Sequence, residues 1–248
     1  MNQGESGSVL IYGPTKIGKT LDLCHAFKTK SKQPFVLLSE PDGLSSIAAN
    51  LGWMPDHHEL KDLRNPFVEA NQVLDKRVLP IARSKRYSAI ILDTGSELAS
   101  RFLDAHAEFK TDNPLKLYPI ISRQFRTIIR KVLTSGLWCC MICHEQEPRD
   151  NELSGFRRGG PKLPGSLVEE VPSMFSLILR AGLSVSDDGD SYNRVYRCDP
   201  LSPRWVMGDR YSVAAEEQPM DLRPLIFRLL NPKAPLPKFP PKPIRNAG

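Results

Sequence analysis

The sequence predicts an α/β fold, a mainly parallel sheet flanked by helices and closed on one side by an antiparallel C-terminal edge. Three observations carry this. Apolar runs at Ser8–Tyr12, Pro34–Ser39, Tyr87–Thr94 and Leu137–Cys143 lack the alternation of a half-solvated strand and read as strands buried on both faces. Segments of helical period separate them. Late in the chain, two runs, Met174–Arg180 and Asn193–Cys198, flank the acidic turn Ser186–Asp190 and read as a hairpin.

At 248 residues the chain can bury a full core, and it reads as one domain over 1–230 followed by a Pro/Lys-rich tail over 231–248. The net charge of +6 and pI near 9.1 leave room for a polyanionic partner. Cys24, Cys139, Cys140, Cys143 and Cys198 are odd in number, and three of them share one apolar strand. They fit a reducing compartment and read as small buried hydrophobes rather than a disulfide framework. No apolar run approaches the roughly 18 residues of a spanning helix, and no leader-like pattern opens the chain. A soluble, intracellular protein without a membrane partner is expected.

The first strand runs into Gly13-Pro14-Thr15-Lys16-Ile17-Gly18-Lys19-Thr20, which matches G-x-x-x-x-G-K-[ST] at every fixed position, and the chain continues from Leu21 as a helix. Gly13 and Gly18 allow the backbone to turn successive N–H groups into one concavity, and the helix N-terminus adds its positive dipole end. The loop from Gly13 to Leu21 is therefore a phosphate cradle. Lys19 would reach the terminal phosphates, and the Thr20 hydroxyl would ligate Mg²⁺.

The second strand ends in Ser39-Glu40-Pro41-Asp42. Residues 44–51 suggest a brief helix, and the polar stretch 56–65 reads as a solvated loop carrying His57 and His58. A helix from about Pro66 to Ser84 leads into the third strand. Its terminal Asp93 sits where a carboxylate emerges beside a phosphate cradle to hold the Mg²⁺ water shell. Helical period returns at 96–108 and 115–134, the latter with Ile121, Phe125, Ile128 and Val132 on one face and Arg123, Arg126, Arg130 and Lys131 on the other. The fourth strand ends in His144. Residues 147–165 then form a long polar segment carrying Arg149, Arg157, Arg158 and Lys162 among glycines, a length that suggests function in a compact domain. The Pro-rich tail cannot join a helix or sheet ladder and is expected to be extended.

With these positions in place, the chain resembles the RecA-like P-loop ATPases. More narrowly, it resembles short phage-encoded proteins related to RecA and RadA that act in single-strand annealing and recombination. The likeness spans about residues 8–212. Beyond the P-loop it rests on Glu40, Asp93-Thr94, His144, Gly160-Pro161-Lys162-Leu163-Pro164-Gly165 and Trp205-Val206-Met207-Gly208-Asp209-Arg210. It implies ATP and Mg²⁺ as cofactors and a homo-oligomer, ring or filament, on single-stranded DNA in a bacterial host cytoplasm, with a single-strand binding protein as a further partner. It further implies that Glu40 polarises the attacking water, with Asp42 as the alternative carboxylate, and that His144 senses the γ-phosphate. The basic segment would contact DNA through Arg149, Arg157, Arg158 and Lys162, and Arg210 would enter the neighbouring subunit's site. A small-molecule kinase and a nucleotide-dependent switch are the other uses of the same cradle, and DNA-stimulated hydrolysis separates them from the first.

Overall fold

The computed structural model describes residues 6–40, 44–62, 64–82, 86–107, 116–151, 155–186 and 191–231. Asp42, most of the acidic turn (187–190) and the tail from 232 lie outside the described residues.

In chain order the elements are β1 (Ser8–Tyr12), α1 (Lys19–Phe27), β2 (Gln33–Leu38), α2 (Ser45–Leu51), β3 (Asp56–Glu59) and α3 (Pro66–Val73). A π-helical turn at Leu74–Val78 carries α3 into α4 (Leu79–Ala82), so the helix expected over 66–84 is one run with a widened middle turn as far as Ala82, and 83–84 lie outside the described residues. Then follow β4 (Tyr87–Asp93), α5 (Gly95–Ala107), α6 (Leu117–Thr134) and β5 (Trp138–Cys143). The basic segment holds β6 (Glu145–Gln146), β7 (Arg149–Asn151), β8 (Gly155–Arg157) and β9 (Gly160–Pro161). The chain closes with α7 (Leu167–Glu170), β10 (Leu177–Val185), β11 (Tyr192–Arg197), β12 (Gly208–Asp209), β13 (Glu217–Pro219) and α8 (Arg223–Leu230).

Among the described residues one nine-stranded sheet runs β13-β11-β10-β1-β5-β4-β2-β3, with β12 on β10. Every pairing from β10 across to β3 is parallel, and β11, β12 and β13 pair antiparallel at the other side. The fold class is the one the apolar runs predict. Because helices cover both faces, alternate residues of one strand enter different cores: Leu10 and Tyr12 pack with Phe67, Phe125 and Ile128, and Val9 and Ile11 pack with Leu23, Cys24 and Phe27 of α1. All five cysteines are buried and free.

The polar stretch at 56–59 is an edge strand, not a loop. Its ladder to β2 supplies the pairing that its side chains do not advertise. His58 is also not merely solvated. Its Nε2 lies 2.8 Å from Glu69 Oε1, and Arg77 Nη1 lies 3.0 Å from its Nδ1.

A buried carboxylate ties the phosphate-loop helix to the C-terminal elements. Asp22 Oδ2 accepts hydrogen bonds from the Tyr196 hydroxyl at 2.6 Å and from the Leu222 N–H at 3.1 Å, joining α1 to β11 and to the start of α8. Burial pushes its pKa up to about 7, against the lowering effect of the Tyr196 hydrogen bond. The folded state therefore holds this proton between about pH 4 and 7 while the unfolded chain has lost it, so the group's contribution to stability falls as pH rises through that window and is level above it. Asp22→Asn keeps the shape and removes the titration. Thermal melts of the two proteins should diverge from pH 4 to 7, with the wild type losing about 1.4 kcal/mol relative to the variant for each pH unit crossed. Parallel curves would rule out an ionisable Asp22 as the cause.

Candidate functional site

Parallel pairing brings the ends of β1, β2, β4 and β5 to one edge of the sheet, so the residues that follow them, remote in sequence, become neighbours. At Gly13 the backbone has φ 155°, and a Cβ there would lie 2.4 Å from the Ala181 carbonyl oxygen of β10. Only glycine lets the loop turn against that strand. Gly18 is left-handed (φ 101°) and caps α1 without a side-chain hydrogen bond, which leaves the first helical N–H groups available to a ligand.

Lys19 is 7% exposed, and its Nζ donates to the Gly13 carbonyl at 2.9 Å and the Pro14 carbonyl at 2.6 Å. Desolvation lowers its pKa, and the nearby Asp93 carboxylate works against that shift. Thr20 Oγ1 donates to Asp93 Oδ2 at 2.8 Å. Burial raises Asp93 to about 6, with the Thr20 bond opposing and the Glu40 charge adding. A buried carboxylate beside a hydroxyl is a hard-oxygen pair, the donor set a partly hydrated Mg²⁺ accepts, and it fits that ion.

Glu40 follows β2, with Oε1 2.8 Å from His144 Nε2 and 3.4 Å from Thr94 Oγ1. Ser39 Oγ donates to the Thr94 carbonyl and accepts from its N–H, both at 2.8 Å, clamping the end of β2 to the end of β4. His144 is held by its backbone, its N–H donating to Ser96 Oγ at 3.0 Å and its carbonyl accepting from the Lys162 N–H at 2.7 Å. Its Nδ1 is buried with no hydrogen-bond partner among the described residues. Lys19, Thr20, Glu40, Asp93 and His144 thus line one cleft of about 700 Å³ together with Thr15, Lys16, Gly18 and Leu21 of the loop. Such a volume accommodates a nucleotide.

The basic segment is more ordered than a polar loop. β6 pairs with β9 and β7 with β8, so Arg149 stands opposite Arg157, both exposed. Arg157 and Lys162 line a second cavity of about 290 Å³, and His144 belongs to the walls of both cavities. Arg158 is placed differently from its neighbours. Its Nη2 donates to the Ser202 and Trp205 carbonyls and it is half-buried, so it fastens the base of this hairpin, whereas Arg157 is exposed and reaches the Gly165 carbonyl at 3.2 Å. Trp205 and Val206 lie against Gly159 and Gly160 at the hairpin's base. Trp205 bridges Gly159 through the backbone, stacks on Tyr12 with ring centres 6.4 Å apart, and lies 3.5 Å beneath the guanidinium of Arg180, itself paired with Glu145.

Arg210 does not approach the cradle of its own chain. Its N–H donates to the Ser176 carbonyl, and the preceding Asp209 lies opposite Leu177, which pairs with Val9. Arg210 is thus exposed at the opposite edge of the sheet, about 10 Å of strand away from Tyr12. Two residues with functional potential escape sequence reasoning. Phe156, nearly half exposed, stands beside Arg157 on the basic hairpin, and Arg194 enters the cleft wall from β11. Neither carries a motif; only the strand alternation around it assigns its face.

A family model described as an AAA domain matches residues 6–211. No curated protein matches the chain. Among solved structures, the one reported as "Structural and biochemical analysis of a prototypical ATPase from the type III secretion system of pathogenic bacteria" is similar at 11% identity, with a TM-score of 0.51 over 71% of this chain and 51% of that one. The likeness is one of fold, and this chain spans about half the length of that ATPase.

Proposed function

We propose, since the chain belongs to the AAA domain family of P-loop ATPases, that it hydrolyses ATP and relays the state of the γ-phosphate to single-stranded DNA held on the basic segment, residues 147–165. In this reading it works as an oligomer in phage-type recombination or annealing. The observation that carries the proposal is the double engagement of His144, whose side chain meets Glu40 while its carbonyl holds the Lys162 N–H.

The triphosphate would be received by the loop N–H groups, and Lys19 would exchange the Gly13 and Pro14 carbonyls for phosphate oxygens. Thr20 and Asp93 would hold Mg²⁺, which when bound disperses the phosphates' charge. A γ-phosphate competes with Glu40 for the His144 ring N–H, releasing the carboxylate to polarise water. The displaced histidine would then shift Lys162 and β9 through its backbone. Like charges directly opposite in a sheet repel, so the Arg149–Arg157 pair favours a polyanion to bridge it, and Phe156 offers a base a stacking surface.

ATP turnover measured with and without single-stranded DNA tests this reading. Turnover indifferent to DNA would overturn the relay and restore the kinase and switch alternatives. Within the DNA-binding part, Arg149→Ala with Arg157→Ala should weaken single-strand binding and flatten its logarithmic salt slope by about 1.4, from about 0.7 per lost phosphate contact. An unchanged slope would move the interface to the Arg123, Arg126 and Arg130 face of α6. The oligomeric part assigns Arg210 to the neighbouring subunit's cradle, since it lies too far from its own. Mixing Lys19→Ala with Arg210→Ala chains should then restore some turnover, and co-assembly without recovery would remove that role.

A further inference from the structure

We infer that Arg194 is a second phosphate-binding cation of the cleft, contacting the polyphosphate of a nucleotide bound by the loop of the same chain. The inference rests on the ATPase reading and adds to it a residue outside the P-loop motif.

Arg194 lies on β11 opposite Leu183 of β10, and Tyr196, two residues on and therefore on the same face, reaches α1 to bond Asp22. This face of the hairpin is thus turned toward the phosphate-loop helix. The Arg194 side chain follows it into the cleft. Its Nη1 sits 3.0 Å from where a Cβ on Gly18 would be, so the guanidinium rests against the loop at a position with no side chain to exclude it. Gly18 is favoured there by its left-handed backbone, and its missing side chain leaves the exposed Arg194 head free to lie against the loop.

Among the described residues no hydrogen bond, ion pair or ring contact engages this guanidinium. By contrast, Arg158, Arg180, Arg197 and Arg223 each donate to a carbonyl or a carboxylate. Lys19, the deep cation of the cleft, is already shared between two loop carbonyls. A free planar donor fork at the rim of an anion cradle has the geometry for bidentate contact with phosphate oxygens, which a point-charge lysine does not reproduce. The competing role is plain packing, in which the arginine stem lies along the half-exposed Leu183, Val185 and Tyr192 and the head only seeks water. The two roles differ in whether a polyphosphate without a base feels the residue.

The test measures equilibrium binding of Mg²⁺-ATP and of inorganic tripolyphosphate to the full chain as wild type, Arg194→Ala, Arg194→Lys and Lys19→Ala. Arg194→Ala should weaken both ligands by a similar factor, about tenfold to a hundredfold for a lost charge-assisted hydrogen bond, with Arg194→Lys between it and wild type. The ligand-free melting temperature should be unchanged, because the side chain has no internal partner to lose. Wild-type affinity in Arg194→Ala, with binding lost in Lys19→Ala, would overturn the inference and leave the ATPase reading standing. A wild-type chain that binds neither ligand would overturn both. Weakened ATP with unaltered tripolyphosphate would overturn the phosphate assignment. Finally, a mixture of Lys19→Ala and Arg194→Ala chains should turn over ATP no faster than its Arg194→Ala chains do alone, since neither chain holds both cations, and turnover above that level would overturn action within one chain.

Discussion

Lys19→Ala lowers ATP turnover by about two to three orders of magnitude, the usual consequence of removing a preorganised charge donor from a site where negative charge develops. The size follows from the setting of the amine. Lys19 is buried, and desolvation already pulls its pKa down in the ligand-free site, so a phosphate that replaces the Gly13 and Pro14 carbonyls gains a cation little screened by water. The same geometry limits the damage to the fold. Of the two carbonyls left behind, that of Pro14 belongs to an exposed loop residue, and the apolar layers contributed by Val9, Leu10 and Ile11 are untouched. Circular dichroism melts should therefore show a folded variant only a few degrees less stable, while a turnover assay shows the loss. Near-wild-type turnover in that folded variant would remove the cradle from the mechanism.

What the sequence discloses here is what short-range chemistry encodes. The phosphate loop is contiguous, so its glycines, lysine and threonine announce themselves together. Asp93 is legible only in company: many buried strands end in Asp, and it is the complete phosphate loop earlier in the chain that singles this one out. The parallel sheet is legible because strands covered on both faces need unbroken apolar runs such as Val9–Tyr12 and Ile90–Leu92. β3 is not, because Asp56-His57-His58-Glu59 owes its strand state to the β2 ladder rather than to side-chain pattern. Arg158 looks like its neighbour Arg157, and only the approach of the Trp205 segment 47 residues later commits it to backbone carbonyls. Arg194 is silent for a related reason: its distance to Gly18 is a product of β11 pairing with β10 and of β10 pairing with β1. α8 lies in a stretch that carries no motif, and its Leu225 becomes meaningful only once α1 is beneath it.

Glu40→Gln should retain ATP binding and slow its hydrolysis by about two to four orders of magnitude, the range lost when a positioned general base is removed. Glutamine fills the same volume, and its amide oxygen can still accept from the His144 ring at the position where Glu40 Oε1 now lies, 2.8 Å away. What it cannot do is take a proton. The variant therefore separates the two duties of the side chain: holding His144 in the ligand-free state and activating water in the loaded one. If holding were the whole role, Gln would be close to wild type and Glu40→Ala would be the damaging change. The alternative carboxylate gives the decisive control. Asp42→Asn should turn over ATP at nearly the wild-type rate if Glu40, which is bonded to His144 and faces Thr94 Oγ1 at the end of β4, is the base. Single-turnover assays of the two variants settle the assignment: a slow Asp42→Asn beside a fast Glu40→Gln would transfer the base to Asp42 and leave Glu40 as the partner that fixes His144.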